Sequence, residues 1–376
     1  MIPVNEPRLD GRELDYVTEC LQTGWISSAG RFIAEFEDSW AAYCGRKYGV
    51  AVCNGTVALQ LAVAALDLSP GDEVIMPSST IVSCAMAVVY QGAVPVLVDA
   101  DPATWCMDVS QVEARITPRT RAIMPVHIYG HPVDMDTLLD IAERHGLAIV
   151  EDAAEAHGAQ YLSRRGSQPA WRRCGSFGQM SCFSFYANKI VTTGEGGMVV
   201  TDDGALAKRL RHLRNLAFIP ERRFFHEELG FNFRITNLQA AIGLAQVERI
   251  DETIDRKRQI GSRYLEELAN VPGIRLQTEQ PWARSVWWMN GLVLDSSSGH
   301  TASTLARSLA EAGVETRPFF LGMDRQPALL ARGWFAGESY PVSDELAEMG
   351  LYLPSGVALT DEQQRAVIAA VRQVLA

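Results

Sequence analysis

The chain has 376 residues, 47% of them hydrophobic, with 34 basic against 45 acidic side chains and a formal net charge of −11. That composition excludes a disordered or fibrous protein, and the acidic balance argues against nucleic acid, whose phosphates need a basic face. No window approaches the run of roughly 18 apolar residues that spans a membrane, and residues 1–7 have neither a basic nor an apolar leader region, so we expect a cytoplasmic protein with no membrane partner.

In chain order, short β-branched runs alternate with helical stretches. Strands are expected at 49–53, 73–77, 94–99, 122–127, 148–152, 180–185 and 197–201, and helices at 57–66, 82–91, 135–144 and 206–213. Alternation of this kind predicts an α/β fold with one large, seven-stranded, mostly parallel sheet. Residues 161–175, with Arg164, Arg165, Arg172 and Arg173, read as an exposed loop. From Asn237 to about Asn270, Leu238, Ala241, Ile242, Ala245 and Ile250 recur at helical spacing, predicting one long linking helix. Beyond it, a strand at 287–294, a helix at 301–312 and a last helix at 361–375 capped by Thr360 predict a small α+β domain. The expected division is residues 1–245 for the large domain and 246–376 for the linking helix and small domain. The seven cysteines include no C-x-x-C pair, which suits reduced buried thiols better than disulfides or a zinc site, and no metal is expected.

Three segments carry chemistry. Asn54-Gly55-Thr56 follows the first strand and opens a helix, where free N–H groups and the helix dipole face any anion, although such a triplet also serves simply as a cap. Glu151-Asp152 closes an apolar strand, at the carboxyl end where parallel sheets bind ligands. Asp152 there either caps the next helix or holds a proton on a heteroaromatic nitrogen, as pyridoxal phosphate enzymes require. Ser184-Phe185-Tyr186-Ala187-Asn188-Lys189 then places a lysine after another apolar strand, followed by the glycine-rich run 194–197. The chain has only four lysines. Lys208 and Lys257 sit among arginines and read as solvated helix residues, and Lys47 lies in a charged turn. Lys189 alone is flanked by strand and glycine signals, a setting that lowers an amine's pKa and suits a Schiff base. Asn232 and Arg234 stand on a loop between aromatics, which read alone is an Asn turn and a surface arginine.

Taken together, Trp25-Ile26-Ser27-Ser28, Asn54-Gly55-Thr56-Val57-Ala58-Leu59, Pro70-Gly71-Asp72-Glu73-Val74, Glu151-Asp152-Ala153-Ala154-Glu155, Phe183-Ser184-Phe185, Asn188-Lys189, Gly194-Glu195-Gly196-Gly197 and Asn232-Phe233-Arg234 resemble the DegT/DnrJ/EryC1/StrS family of pyridoxal phosphate-dependent sugar aminotransferases, over nearly the whole chain. The resemblance implies an aspartate-aminotransferase-like (type I) fold and a homodimer with shared active sites. It implies Lys189 as the Schiff-base lysine and Asp152 as the partner of the pyridine nitrogen. Gly55, Thr56 and Ser184 would hold the pyridoxal 5'-phosphate phosphate, Asn232 would reach it from the neighbouring subunit, and Glu155 would lie beside the ring. Arg234, Trp25, His127 and Arg317 are the substrate-side candidates. The implied reaction is ping-pong transfer of an amino group from L-glutamate to a keto-sugar nucleotide such as a GDP-linked 4-keto-6-deoxymannose, with Lys189 as general base and acid. The alternatives are a 3-keto sugar or aminocyclitol ketone, a sugar dehydratase, which the presence of Lys189 counts against, and a non-catalytic regulator. Departures from the family pattern are Ile81 in place of a ring-stacking aromatic, Leu321-Gly322-Met323-Asp324 in place of a histidine-rich run, Ser285, Asn290, and a longer arginine-rich 164–173 loop. These arginines and Arg234 are candidates for the positive field that anionic substrates need.

Overall fold

The computed structural model describes residues 1–219, 221–222 and 224–375. Apolar runs bounded by turns form the strands expected, and those facing helices on both sides are buried along their length. Strands β1 (Tyr48–Val52), β2 (Glu73–Pro77), β3 (Val94–Val98), β4 (Thr120–Ile123), β5 (Ala148–Asp152), β8 (Met180–Ser184) and β9 (Gly197–Thr201) make one sheet in the order β1-β9-β8-β5-β4-β2-β3. The five strands from β8 to β3 run parallel, while β9 is antiparallel to both of its neighbours. Glu73–Pro77 and Gly197–Thr201 are buried at every position, as a doubly covered sheet requires.

Helices α1 (Glu13–Thr23) and α2 (Arg31–Cys44) precede the sheet, α3 (Gly55–Ala64), α4 (Ser83–Val89) and α5 (Met135–His145) lie between its strands, and α6 (Gly204–Arg214) follows the last of them. Local caps fix their starts: the Asn54 side chain accepts from Val57 N–H at the head of α3, and Asp203 accepts from Ala205 and Leu206 N–H at the head of α6.

Four expectations are corrected. The single linking helix is two, α7 (Asn237–Val247) and α8 (Ile250–Leu268), because Arg249 leaves helical geometry at φ −121°, ψ 13°. Residues 161–175 are not a loop: β6 (Gln160–Ser163) and β7 (Ala170–Arg173) form an antiparallel hairpin, joined by β11 (Ala283–Arg284). The strand expected at 122–127 ends at Ile123, beyond which Val126 makes only an isolated bridge to Asp152. The strand expected from Trp287 begins at Asn290 (β12, Asn290–Leu294), since Trp287 has φ +41°, outside strand geometry.

In the last third of the chain, β10 (Ile274–Leu276), β12, β14 (Gly350–Leu353) and β13 (Arg317–Pro318) form a four-stranded antiparallel sheet in that order. Ile260, Tyr264 and Leu268 of α8, Leu292 and Leu294 of β12, Leu305 and Leu309 of α9 (Ala302–Glu311) and Val367 of the final helix, Asp361–Val374, bury a second apolar cluster against it. Six of the seven cysteines are buried and Cys53 is half-buried.

Candidate active site

Parallel strands bring their carboxyl ends to one edge of the sheet, and there a cleft of about 590 Å³ opens. It is lined by Asn54, Gly55 and Thr56 after β1, Thr80, Ile81 and Ser83 after β2, Val126 after β4, Asp152 and Glu155 at and after β5, and Ser184, Tyr186 and Lys189 at and after β8. Trp288, Phe320 and Tyr352 close it from the C-terminal sheet. Of the residues singled out in the sequence, Gly55, Thr56, Asp152, Glu155, Ser184 and Lys189 are thus together.

The two adjacent carboxylates that end β5 point to opposite faces, as alternation along a strand dictates. Glu151 is fully buried and accepts from His127 Nε2 at 2.9 Å, Gly175 N at 2.9 Å, Phe177 N at 3.1 Å and Ser181 Oγ at 2.6 Å. Burial works to raise its pKa, but these donors, with His127 and Arg46, prevail and hold it below the ordinary range. Asp152 faces the cleft. Its Oδ1 accepts from Ala154 N at 3.0 Å and its Oδ2 from the Cys84 thiol at 3.2 Å, and burial pushes its carboxyl up. A carboxylate held in this way favours a cationic N–H partner placed in the cleft.

Lys189, with its side chain 11% exposed, is depressed by burial while Glu155 and Asp152 pull the other way. Its Nζ lies 3.6 Å from Glu155 Oε1 and 3.6 Å from the centroid of the Trp288 ring. Glu155 also accepts from Tyr129 N at 2.8 Å, yet burial raises its carboxyl to about 7. A carboxyl raised on folding weakens the fold as pH climbs from its ordinary value, here 4.5, to its folded one. Glu155→Gln is therefore expected to match the wild type near pH 4.5 and to become progressively more stable than it towards pH 7. Denaturant titrations across that window check this; a difference that does not change with pH contradicts it.

Whether the cleft suits a phosphorylated cofactor can be tested at its walls. The N–H groups of Gly55 and Thr56 open α3, ahead of the helix's own hydrogen-bond ladder, and Thr56 Oγ1 and Ser83 Oγ stand 2.8 Å apart beside them. A Cβ on Gly55 would sit 2.5 Å from Ser184 Cβ, and one on Gly197 would sit 2.4 Å from the Asn54 carbonyl oxygen. Only glycine lets the helix start, β8 and β9 approach so closely. Asn188 Oδ1 is a buried acceptor with no partner among the described residues. Anion donors, a buried carboxylate and an amine lining one cleft fit pyridoxal phosphate.

Other candidates lie elsewhere. His127 is fully buried outside the cleft, donating to Glu151 and accepting from Val133 N at 3.0 Å, so it supports β5 instead of meeting substrate. Asn232 and Arg234 bridge to Asn215 and Val52, alongside outer strand β1, and Arg234 lines a separate cavity of about 400 Å³ with Arg211 and Arg214. Trp25 is 58% exposed, and Arg317 is exposed in an ion pair with Glu315 at 2.6 Å. None of these five residues lines the cleft in one chain. The arginines of 164–173 do not line it either: Arg165 pairs with Asp140 and Glu143, and Arg173 donates to the Tyr43 carbonyl.

The departures from the family pattern have structural partners. Asp324 accepts from Ser78 Oγ at 3.0 Å, Asn290 Nδ2 donates to Ser355 Oγ at 3.1 Å, and Ser285 Oγ accepts from Trp287 N at 3.1 Å. Ile81 is 40% exposed within the cleft.

Sequence reasoning missed Trp288, Tyr352, Phe320, Ser83 and Cys84. Ser83 and Cys84 carry a faint signal, following Ile81 by two and three residues at the head of α4, whereas the three aromatics arrive from distant segments. It also misread Lys257, which is 1% exposed and not solvated.

The sequence profile of the DegT/DnrJ/EryC1/StrS aminotransferase family matches residues 7–372. The chain is 46% identical to a GDP-perosamine synthase of Caulobacter vibrioides, covering 100% of this chain and 98% of that protein, and 40% identical to one of Escherichia coli O157:H7, covering 96% and 95%. Among solved structures it resembles S. venezuelae DesV in complex with a ketimine intermediate, with a TM-score of 0.87, 37% identity, and 96% and 94% of the two chains covered. With its profile, its full-length relatives and its cleft in agreement, the chain belongs to the DegT/DnrJ/EryC1/StrS aminotransferase family.

Proposed function

We propose that this aminotransferase moves an amino group from L-glutamate to C4 of a GDP-linked 4-keto-6-deoxymannose, in two half-reactions of a ping-pong cycle. The observation that carries the proposal is the convergence of Lys189, Asp152, Glu155 and the first turn of α3 on one cleft, in a chain with three relatives, matched over 95% or more of their length, that are named GDP-perosamine synthase.

Pyridoxal 5'-phosphate, when bound, supplies the carbonyl that joins amines and the electron sink that lets an α-proton leave. The chain's own residues do the rest. Gly55 and Thr56 N–H and the Ser184 hydroxyl bind the phosphate, and Asp152 keeps a proton on the ring nitrogen. Lys189, its pKa lowered by burial, would move a proton from the donor α-carbon to the cofactor's C4′ in the first half-reaction and from C4′ to the acceptor carbon in the second. Glu155 Oε1 lies 3.6 Å from the amine and would stand beside the bound ring. Trp288, Phe320 and Tyr352 exclude water from the opposite wall.

A second copy of the chain accounts for Asn232 and Arg234. They sit beside outer strand β1, and Arg234 shares a cavity with Ser28, which follows the exposed apolar residues Trp25 and Ile26 in the segment before α2. In a homodimer that edge would complete the neighbouring cleft, adding an amide for the phosphate and a guanidinium for an anionic substrate.

The test is a panel of GDP-, dTDP- and UDP-linked 4-keto and 3-keto sugars and cyclitol ketones, with glutamate as donor. Fastest formation of a 4-amino sugar from the GDP-linked 4-keto substrate, with one 2-oxoglutarate released per turnover, is expected. A 3-keto sugar or a cyclitol turning over best overturns the substrate, and loss of a sugar hydroxyl without 2-oxoglutarate overturns the reaction.

A further inference from the structure

Lys257 is a buried amine that the proposed reaction does not use. It lies on α8, where its Nζ donates to the Trp288 carbonyl at 2.7 Å and to the Ser355 carbonyl. These two acceptors stand just before β12 and just after β14, neighbouring strands of the C-terminal sheet. Ser355 Oγ in turn accepts from Asn290 N at 2.9 Å, closing the same corner. One turn further along α8, Gly261 faces the Trp287 ring, and a Cβ there would sit 2.6 Å from it. Residues four apart share a helix face, so α8 grips the Trp287–Trp288 turn at two points.

That turn is not a relaxed one. Trp287 has φ +41°, a conformation a bulky residue adopts only when its surroundings impose it. Its consequence is the placement of Trp288. The indole Nε1 donates to the Asn188 carbonyl at 2.7 Å, directly before Lys189, and the ring face lies against Lys189 Nζ. Trp288 therefore touches both lysines, one through its carbonyl and the other through its ring. Both lysines also border one small chamber of about 20 Å³, room for about one water. Burial lowers Lys257 to about 7, and the two carbonyls give its amine hydrogen-bond partners inside the fold.

We propose that Lys257 is a positioning residue for Lys189, acting through Trp288: its two hydrogen bonds lock the Trp287–Trp288 turn and so hold the indole over the reactive amine. The inference rests on Lys189 being that amine.

A double-mutant cycle of Lys257→Met and Trp288→Leu tests it, with two readouts. The first is kcat. The second is the rate at which Lys189 of the cofactor-free protein is reductively methylated, followed by peptide mass spectrometry, which four lysines in the chain make easy to separate. Each single variant is expected to lower kcat about tenfold and to raise Lys189 labelling at least about threefold as the ring moves off it. The double variant should do no more than Trp288→Leu alone. Effects that multiply in the double variant, or a Lys257→Met protein that melts earlier with Lys189 labelling unchanged, overturn the proposal. Should Lys257→Met fail to fold, Lys257→Gln keeps one donor and must show the same coupling in smaller degree, or the proposal falls. If the wild type aminates no ketone at all, the proposed function fails, while the labelling arm still decides the clamp.

Discussion

Replacing Lys189 with alanine is expected to lower kcat by at least about 10³-fold, because the group proposed to move the α-proton would be gone and no other amine can deputise. Lys47 and Lys208 are exposed, and Lys257 is tied to two carbonyls. The same variant should still bind pyridoxal phosphate, since Gly55, Thr56, Ser184 and Asp152 are untouched, and should lose the covalent fixation to residue 189 that borohydride produces in the wild type. Cofactor titration, borohydride reduction with peptide mapping and steady-state rates check the three parts separately. Turnover within tenfold of wild type would remove Lys189 from the mechanism.

The second large effect falls on stability and concerns Glu151, the residue next to the proposed cofactor partner Asp152. Glu151→Leu strips the acceptor from His127, Gly175, Phe177 and Ser181 at once, in a site with no access to water. A cost of about 4 kcal/mol or more is expected, seen as a melting temperature lower by on the order of 10 °C. The sign with pH follows from its depressed pKa. Glu151 contributes stability that is fully present above the ordinary carboxylate value, 4.5, and is lost as pH falls through its lower folded value. The gap between wild type and variant should therefore narrow on acidification below about pH 4.5. Asp152→Leu, by contrast, disturbs only the Cys84 and Ala154 donors. It is expected to cost activity far more than stability. Equal melting temperatures for wild type and Glu151→Leu would show that the four donors find other acceptors.

Why some of this was legible and some was not can be seen in single residues. The sheet was readable because strands covered on both faces must be apolar throughout, and the cleft residues were readable because they stand at or beyond the carboxyl ends of those strands: Asp152 ends β5 and Lys189 follows β8. Lys257 was misread from its neighbours Arg256 and Arg258, which do reach outward. Helical spacing carried the better signal, since Ile250, Ile254, Lys257, Gly261, Tyr264 and Leu268 follow one another by three or four residues and are all buried. His127 stood beside a recognisable strand and was assigned to the substrate. Whether it turned to the cleft or to Glu151 depended on where β4 stopped, and strand ends are the least determined part of a local pattern. Trp288 could not be found from local sequence, because it meets Lys189 only through the folding of a segment a hundred residues away and through a turn at positive φ that its own side chain disfavours.

The antiparallel course of β9 bears on how Lys189 moves. In a βα crossover, the segment beyond the strand leaves the site and returns on another strand. Here Ser184 and Gly197 are paired partners in adjacent strands, so the 185–196 segment departs from the cleft and comes back to the same place. Phe185 N bonds the Gly196 carbonyl at 2.8 Å and Thr193 N the Phe185 carbonyl at 2.9 Å, cinching its neck. The lysine is thus carried on a purse-string instead of a lever. Its backbone has no free end to swing from, so any travel of its amine has to come from rotation about its own four side-chain carbons.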